Sequence, residues 1–185
     1  INFAAANLTT LDTVDGGTGS DTLKITSDAT IADADFTNVT NIEALTYTAA
    51  ASDTDLGAQY VESGSSTITL TTGTNNLNLD AVTSAQTVNL VAGTDTLDAS
   101  SMTAALTVDY ASSQALTSAD TLTAGTSSSD VLEITFDTTA ADFTNVTAFE
   151  TFKSGADTAS QSFTTVDGNV AATESLTIDI FDTSF

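Results

Sequence analysis

The chain has 185 residues, with 2 lysines, no arginine and no histidine against 25 acidic residues, so its formal net charge at pH 7 is −23. It has no basic surface that could neutralise phosphates, which excludes nucleic acid as a partner and disfavours anionic membranes. The chain also lacks cysteine, proline and tryptophan. Disulfides, thiol chemistry, histidine-based catalysis and the usual zinc sites are therefore excluded, and no apolar run is long enough for membrane insertion.

The first element in chain order is a glycine-rich turn followed by a strand. Its sequence, GGTGSDTLK at 16–24, fits the nonapeptide pattern G-G-x-G-x-D-x-U-x, in which U is a large apolar residue. Glycines allow tight turns that aim carbonyl oxygens at one point, and an aspartate adds an anionic oxygen, which suits Ca²⁺. We therefore predict metal ligands at Gly17, Gly19 and Asp21. The alternative is a glycine-rich turn with a solvated aspartate.

Apolar residues alternate with polar ones in runs along the whole chain, and this pattern predicts β-strands. The predicted strands are 22–26, 42–47, 67–70, 76–79, 87–91, 105–110, 131–136, 148–152 and 176–181. The main runs recur roughly every twenty residues, which is typical of one turn of a β-solenoid. The best helical candidate is a weak pattern at 50–60. The chain is thus predicted to be all-β.

An internal duplication indicates a single repetitive domain over residues 1–185, with copies at about 16–48 and 127–154. The stretch ADFTNVTNIEAL at 34–45 matches ADFTNVTAFETF at 141–152, and a shorter relative, GTDTLDAS, lies at 93–100. Repeats that bury one face by stacking on each other build solenoids, although a tandem β-sandwich also fits. Phe36 and Phe143 are predicted to point into the core, and Asn38 and Asn145 to satisfy backbone groups at the corners.

The repeats supply further candidate ligands for a metal. Asp130 ends the glycine-free counterpart of the nonapeptide, at 127–130, and the shorter relative contributes Asp95 and Asp98. Acid pairs such as Asp33 with Asp35 could in principle hydrolyse glycosides, but the chain suggests no aromatic-lined cleft, so we expect no enzyme. Aspartate is frequent in turns and in calcium sites, and bound cations would relieve the repulsion within so acidic a chain.

Three segments resemble secreted bacterial surface-layer proteins of the repeats-in-toxin group. They are the nonapeptide, the run LDASSMTAALTV at 97–108, and the N-x-x-N-I-E-A-L run at 38–45. The resemblance implies a right-handed parallel β-solenoid, export by a type I system, and calcium-dependent folding and lattice assembly. Members with firm calcium sites carry tandem nonapeptides, whereas this chain has one good copy.

The expected function is that of an extracellular structural subunit, at the cell surface, which assembles with copies of itself through Ca²⁺. The alternative is an adhesin or carbohydrate-binding module of a larger surface protein, with a cell-surface polysaccharide as partner. A secreted hydrolase is a third hypothesis. The chain begins with Ile and without a charged-then-apolar leader, as a mature chain or a fragment would.

Overall fold

The protein is a parallel β-solenoid of about 6 turns with almost no helix. A computed structural model describes residues 1–48, 51–71, 73–110, 116–134, 142–154 and 177–180. Every strand pair recorded among these residues is parallel. The predicted solenoid is confirmed, and the tandem β-sandwich is wrong because sandwiches are built from antiparallel sheets.

The described strands, numbered β1 to β17 in chain order, form three sheets. The first sheet has nine strands, in the order β1 Asn2–Phe3, β3 Thr22–Ile25, β6 Ala44–Tyr47, β8 Thr67–Thr69, β10 Gln86–Leu90, β12 Leu106–Tyr110, β14 Val131–Ile134, β16 Thr151–Ser154 and β17 Thr177–Ile180. The second has six, in the order β15 Val146–Thr147, β13 Thr121–Thr123, β11 Gly93–Asp98, β9 Gly73–Asn78, β7 Ala51–Asp55 and β4 Ala29–Ala32. The third pairs β2 Val14–Asp15 with β5 Val39–Thr40.

The core consists of apolar side chains stacked in columns along the solenoid. In the first sheet one such column contains Leu23, Leu45, Ile68, Val88, Val108, Leu132 and Phe152, all buried. Neighbouring parallel strands lie about 4.8 Å apart, so each side chain covers the one below. Burying one aliphatic side chain contributes about 1.5–3 kcal/mol. Each coil alone leaves its apolar face open, and stacking closes it.

The coils differ in length although the ladders stay in register. Val88 pairs with Ile68 and Val108 with Val88, which gives coils of about 20 residues, whereas Leu132 pairs with Val108 across a longer coil. The described corners also differ in structure. One corner holds the short helix α1, Ala58–Glu62, and 3₁₀ turns lie at Ala5–Asn7 and Asp33–Phe36.

The two copies of the duplicated segment make the same corner contacts. Asn38 Nδ2 donates to Thr10 O at 3.0 Å, and Asn145 Nδ2 donates to Ser118 O at 3.1 Å, in each case reaching back to the preceding coil. Phe36 and Phe143 are buried as predicted. Phe36 packs edge-on against Tyr60 with ring centroids 5.4 Å apart. The repeated sequence therefore encodes one corner geometry twice.

One local prediction is wrong in part. The helical candidate at 50–60 contains strand β7, and the helix begins only at Ala58. β7 is paired with a strand on each side, which outweighs a weak local helical preference. The ends of the predicted strands at 135–136, 176 and 181 lie outside the described residues. No helix of the described ranges is long and apolar enough to cross a membrane.

Candidate functional site: carboxylates at the corners of the solenoid

The nonapeptide turn precedes β3 and is closed by Asp15. Gly17 has φ +87° and Gly19 has φ +129°, conformations that glycine adopts without strain. Asn41 Nδ2 donates to Asp15 Oδ1 at 2.7 Å, and the Gly17 amide donates to the same oxygen at 2.9 Å. These two hydrogen bonds lower the pKa of Asp15, with the Asn41 bond contributing more.

Asp21 and Asp130 occupy equivalent corners of the duplicated unit. The Asp21 amide donates to Glu43 Oε2 at 2.6 Å, and the Asp130 amide donates to Glu150 Oε2 at 2.8 Å. Each pairing joins one coil to the next; the bond at Asp21 is exposed and the bond at Asp130 is part-buried. The duplication thus preserves a glutamate that accepts a backbone amide at the start of a strand.

The Asp130 carboxylate is fully enclosed and has a donor on each oxygen. Leu106 N donates to Oδ1 at 2.8 Å, and Gly125 N donates to Oδ2 at 3.1 Å. Burial raises the pKa of Asp130 to about 6, against the lowering effect of these amides, and the Glu150 charge raises it further. The side chain acts as a bridge between β12, β14 and the intervening turn, and its oxygens are already engaged.

Asp95 faces the interior of the solenoid and is 1% exposed. Asn75 Nδ2 donates to Asp95 Oδ1 at 2.7 Å, and the Asp95 amide donates to Asp120 Oδ1 at 2.7 Å. Asp95 Oδ2 has no hydrogen-bond partner among the residues that the structure describes. Burial raises the pKa of Asp95 to about 6, the Asn75 bond lowers it, and the Asp120 charge raises it. Burial, together with the charges of Asp120 and Asp95, also raises the pKa of Tyr110.

Asp98 lies on the same strand as Asp95 but on the opposite face. It is exposed, and its Oδ1 accepts the Ser100 amide at 3.1 Å in a turn that follows β11. Side chains three positions apart on a strand point to opposite sides of the sheet, so these two aspartates cannot share one ion.

The six predicted ligands therefore fall at three separate places: the turn before β3, the corner before β14, and the two faces of β11. Within the described ranges no group of three or more acidic side chains could hold a metal ion. Ca²⁺ takes six to eight oxygen ligands, and the donors that converge within one chain do not fit that requirement. The described residues thus leave the predicted ligands apart from one another, and calcium binding stays a prediction.

Four important acids lay outside the predicted set. Asp33 accepts three amides at the start of α1, from Gly57 at 2.7 Å, Tyr60 at 2.9 Å and Gln59 at 3.1 Å. Asp120 accepts the Thr117 amide at 2.6 Å as well as that of Asp95, and Glu43 and its counterpart receive the corner amides. The sequence holds a signal for Asp120, since the triplet Asp-Thr-Leu recurs at 21–23, 95–97 and 120–122. With Leu buried, the alternation of a strand turns the aspartate inward as well.

The acids at the corners share one chemical role, which is to accept backbone amides that the turns would otherwise bury without a partner. Asp33 and Asp35, one pair with the spacing of a candidate hydrolase, are both engaged in this way, Asp35 through the Ala32 amide at 3.0 Å. The corners therefore provide structural support between coils.

Comparison of the chain with models of protein families, with curated proteins and with solved structures finds no match. The solenoid and the positions of its charged side chains are therefore the basis for assigning a function.

Proposed function

We propose that the protein is an extracellular structural subunit that assembles with copies of itself into a surface layer or filament, with Ca²⁺ bridging carboxylates of neighbouring copies. The observation that carries this proposal is the uninterrupted parallel ladder of nine strands around a closed apolar core. Such a ladder makes a straight, regular body from a short chain. Repetition of one coil geometry is a property of scaffolds.

The ends of the sheets supply one kind of contact between copies. Among the described strands, β4 and β15 each have a neighbour on one side only. Unpaired amides and carbonyls at such an edge can be paired by a strand from another chain. End-to-end stacking would continue the ladder from one subunit to the next.

The outer face of the second sheet supplies the acids for calcium. Asp53, Asp55 and Asp98 are exposed on this face. Two copies brought together double the number of carboxylate oxygens at the contact, which moves the ligand count towards what Ca²⁺ needs. The bound ion also relieves repulsion between two chains that each carry −23. Calcium therefore acts in assembly, between copies.

An adhesin or carbohydrate-binding module of a larger surface protein is the second candidate. It is supported by the exposed polar rows of the second sheet, where Asn76, Thr96 and Thr121 follow one another on adjacent strands. Evenly spaced amide and hydroxyl groups suit a repeating polysaccharide. Under this hypothesis the solenoid positions the rows and the chain stays monomeric.

Negative-stain microscopy and light scattering of the purified chain in CaCl₂, MgCl₂ and NaCl at matched ionic strength test the proposal. We expect ordered sheets or filaments in CaCl₂ alone and their dispersal by chelator, with the far-ultraviolet circular dichroism unchanged. Assembly of the same extent in NaCl would show that screening is sufficient and would refute calcium bridging. A chain that stays monomeric in CaCl₂ and is retained on a polysaccharide column would refute the structural subunit in favour of the adhesin.

A further inference from the structure

Both basic side chains of the chain lie on the outer face of the nine-stranded sheet. Lys24 and Lys153 are the 2 basic residues of the sequence; Lys24 lies between the buried Leu23 and Ile25, and Lys153 follows the buried Phe152. In register they share one outward column, which we call the lysine column. From β1 to β16 this column reads Asn2, Lys24, Thr46, Thr69, Asn89, Asp109, Glu133, Lys153.

This face is close to neutral in a chain that is otherwise strongly acidic. The lysine column carries two cations and two anions from β1 to β16, and Asp179 continues it on β17. The parallel outward column, two residues earlier on each strand, is uncharged and reads Thr22, Ala44, Thr67, Thr87, Thr107, Val131, Thr151. The outer face of the second sheet carries exposed Asp53, Asp55 and Asp98 instead. Two like-charged copies therefore meet the least repulsion when the first sheets face each other.

Within the lysine column, Lys24 is separated from the two anions. The neighbours of Lys24 in the ladder are Asn2 and Thr46, which are neutral. Asp109 and Glu133 are adjacent to each other, four and five strands further on in the sheet. Lys153 follows Glu133 on the next strand. Lys24 towards one end and the two anions towards the other make the face complementary to a copy of itself turned end for end.

We propose that two copies pair through the outer faces of their nine-stranded sheets, about a two-fold axis that runs parallel to the strands between β8 and β10. This inference rests on the proposed self-assembly and names one of its contacts. Because the axis exchanges β3 with β14, Lys24 of each copy meets Glu133 of the partner subunit. It also exchanges β6 with β12, which places Asp109 opposite Thr46. The contact is isologous, so each charge pair occurs twice.

Other arrangements of the same faces are disfavoured by charge. An axis along the solenoid would place Lys24 against Lys24 and Glu133 against Glu133, and like charges that face each other repel. Sliding the pair by one strand in one direction sets Lys24 against Lys153. Sliding it in the other direction sets Lys24 against Asp109 and shortens the overlap by one strand. The register through Glu133 keeps eight strands in contact without like charges in the lysine column.

The size of the face sets the expected strength. Eight strands about 4.8 Å apart, each with about four residues of about 3.3 Å, present a flat area of roughly 500 Å² per copy. A stable complex buries roughly 800 Å² per partner. The pair is therefore weak when isolated, sensitive to salt, and reinforced when other contacts hold many copies together.

Sedimentation equilibrium of the full chain in EDTA at low ionic strength tests the pairing without calcium-driven assembly. Glu133→Lys is the most informative variant. It reduces the net negative charge by two, so a contact limited only by general repulsion would become stronger, whereas the proposed pairing with Lys24 would become weaker. We expect it to weaken the dimer about tenfold or more, and Lys24→Glu to do the same. The double variant Lys24→Glu/Glu133→Lys restores dimerisation. Asp53→Lys, with the same charge change on the second sheet, is the control and does not weaken the dimer.

Zero-length carbodiimide crosslinking of mixed isotope-labelled copies provides a second measurement. With 2 lysines in the chain, the crosslinked peptides identify their partners directly, and we expect an intermolecular Lys24–Glu133 link. A wild-type chain that stays monomeric at high concentration, or an E133K variant that dimerises as tightly as the wild type, overturns the pairing. Rescue of Lys24→Glu by Asp109→Lys in place of Glu133→Lys overturns the register. If calcium-dependent sheets form normally although this dimer does not form, the pairing is wrong and the proposed function is unaffected.

Discussion

Asp95 and Asp130 are both buried acids with a raised pKa, but their oxygens meet different surroundings. Asp130 has an amide donor on each carboxylate oxygen, whereas Asp95 Oδ2 has no hydrogen-bond partner among the described residues. A neutral amide in place of the carboxylate would suit the Asp95 site, since its NH₂ group meets no donor there. At Asp130 the same group would point at a backbone amide and leave that amide unsatisfied.

Replacing Asp95 by Asn is expected to stabilise the protein at pH 7. A folded-state pKa of about 6, above the ordinary value of 3.8, means that the folded chain binds its proton more tightly than the unfolded chain. Stability is therefore highest below pH 4 and falls as the pH rises through 6, by about 1–3 kcal/mol from this group. Asp95→Asn removes that loss, and thermal melts between pH 4 and 7.5 should show a flatter profile with a higher Tm at neutral pH.

The matched substitution Asp130→Asn is expected to act in the opposite direction. The variant loses a charge-assisted acceptor, and its NH₂ group faces one of the corner amides. The free energy of unfolding should therefore fall by about 1–3 kcal/mol at pH 7. Equal shifts of the same sign in the two variants would contradict the assigned hydrogen bonds. Thermal melts of the wild type, Asp95→Asn and Asp130→Asn in one buffer at pH 7 make this comparison.

Asp33 is the third residue whose role can be measured. It accepts three amides at the start of α1, which is both a helix cap and a link between two corners. Asp33→Ala should destabilise the chain by about 2–3 kcal/mol, since several amides lose their acceptor in a partly buried site. Asp35→Ala, which removes a single such bond, is the control and should cost less.

The sequence predicted which side chains are buried or lie at corners more readily than it predicted what each carboxylate binds. Phe36, Phe143 and the two corner asparagines followed from the repeated sequence, because aromatic burial and Asx-type bonding are local properties. The function of Asp33 was not predictable, since its three donors lie more than twenty residues away in the chain. A contact between coils has no local signature.

At the scale of elements, the first sheet was more predictable than the second. Its strands alternate Leu, Ile or Val with polar residues such as Thr or Asn, as in Thr87 to Leu90, and eight of the nine predicted runs overlap its strands. The second sheet has polar residues at inward positions, including Asn75 and Asp95, which hides the alternation. Strand β11 was missed for this reason. Strands β4 and β13 were also missed, because each is short and is defined by pairing with neighbouring coils.

The close approach of β9 and β11 gives a test at this scale. A Cβ on Gly93 would lie 2.3 Å from the carbonyl oxygen of Gly73, so an alanine there would force the two strands apart. Gly93→Ala should lower stability by about 2 kcal/mol or more, since the collision is with backbone and cannot be relieved by a rotamer change. Thr94→Ala, at the next and exposed position, should change the Tm little. A tolerated Gly93→Ala would show that this pairing is wrong.

For the whole molecule, the largest electrostatic effect is self-repulsion from a net charge of −23. Two lysines cannot balance it, and the corner carboxylates stabilise turns without removing their charge. Screening by salt should therefore stabilise the single chain. Lowering the pH should also stabilise it, because the buried carboxyl groups become protonated.

Raising NaCl from low to moderate concentration should increase the Tm of the monomer by several degrees, as one to two kcal/mol would at this size. CaCl₂ at equal ionic strength, at protein concentrations too low for assembly, should give a similar increase, because the described residues of one copy include no group of three acidic side chains that could hold an ion. A much larger increase with CaCl₂ would point to an ion bound within one chain. Differential scanning fluorimetry with both salts separates the outcomes.

The stacked coils of about 20 residues also determine how the molecule responds to mechanical force. Force applied along the chain from its two termini would detach coils one after another, since each is held by neighbouring ladders and by its share of the core. One freed coil of about 20 residues lengthens the chain by roughly 70 Å. Stretching a tethered molecule should thus give a staircase of small, nearly equal extensions, and a layer built from such rods would yield gradually under strain instead of tearing.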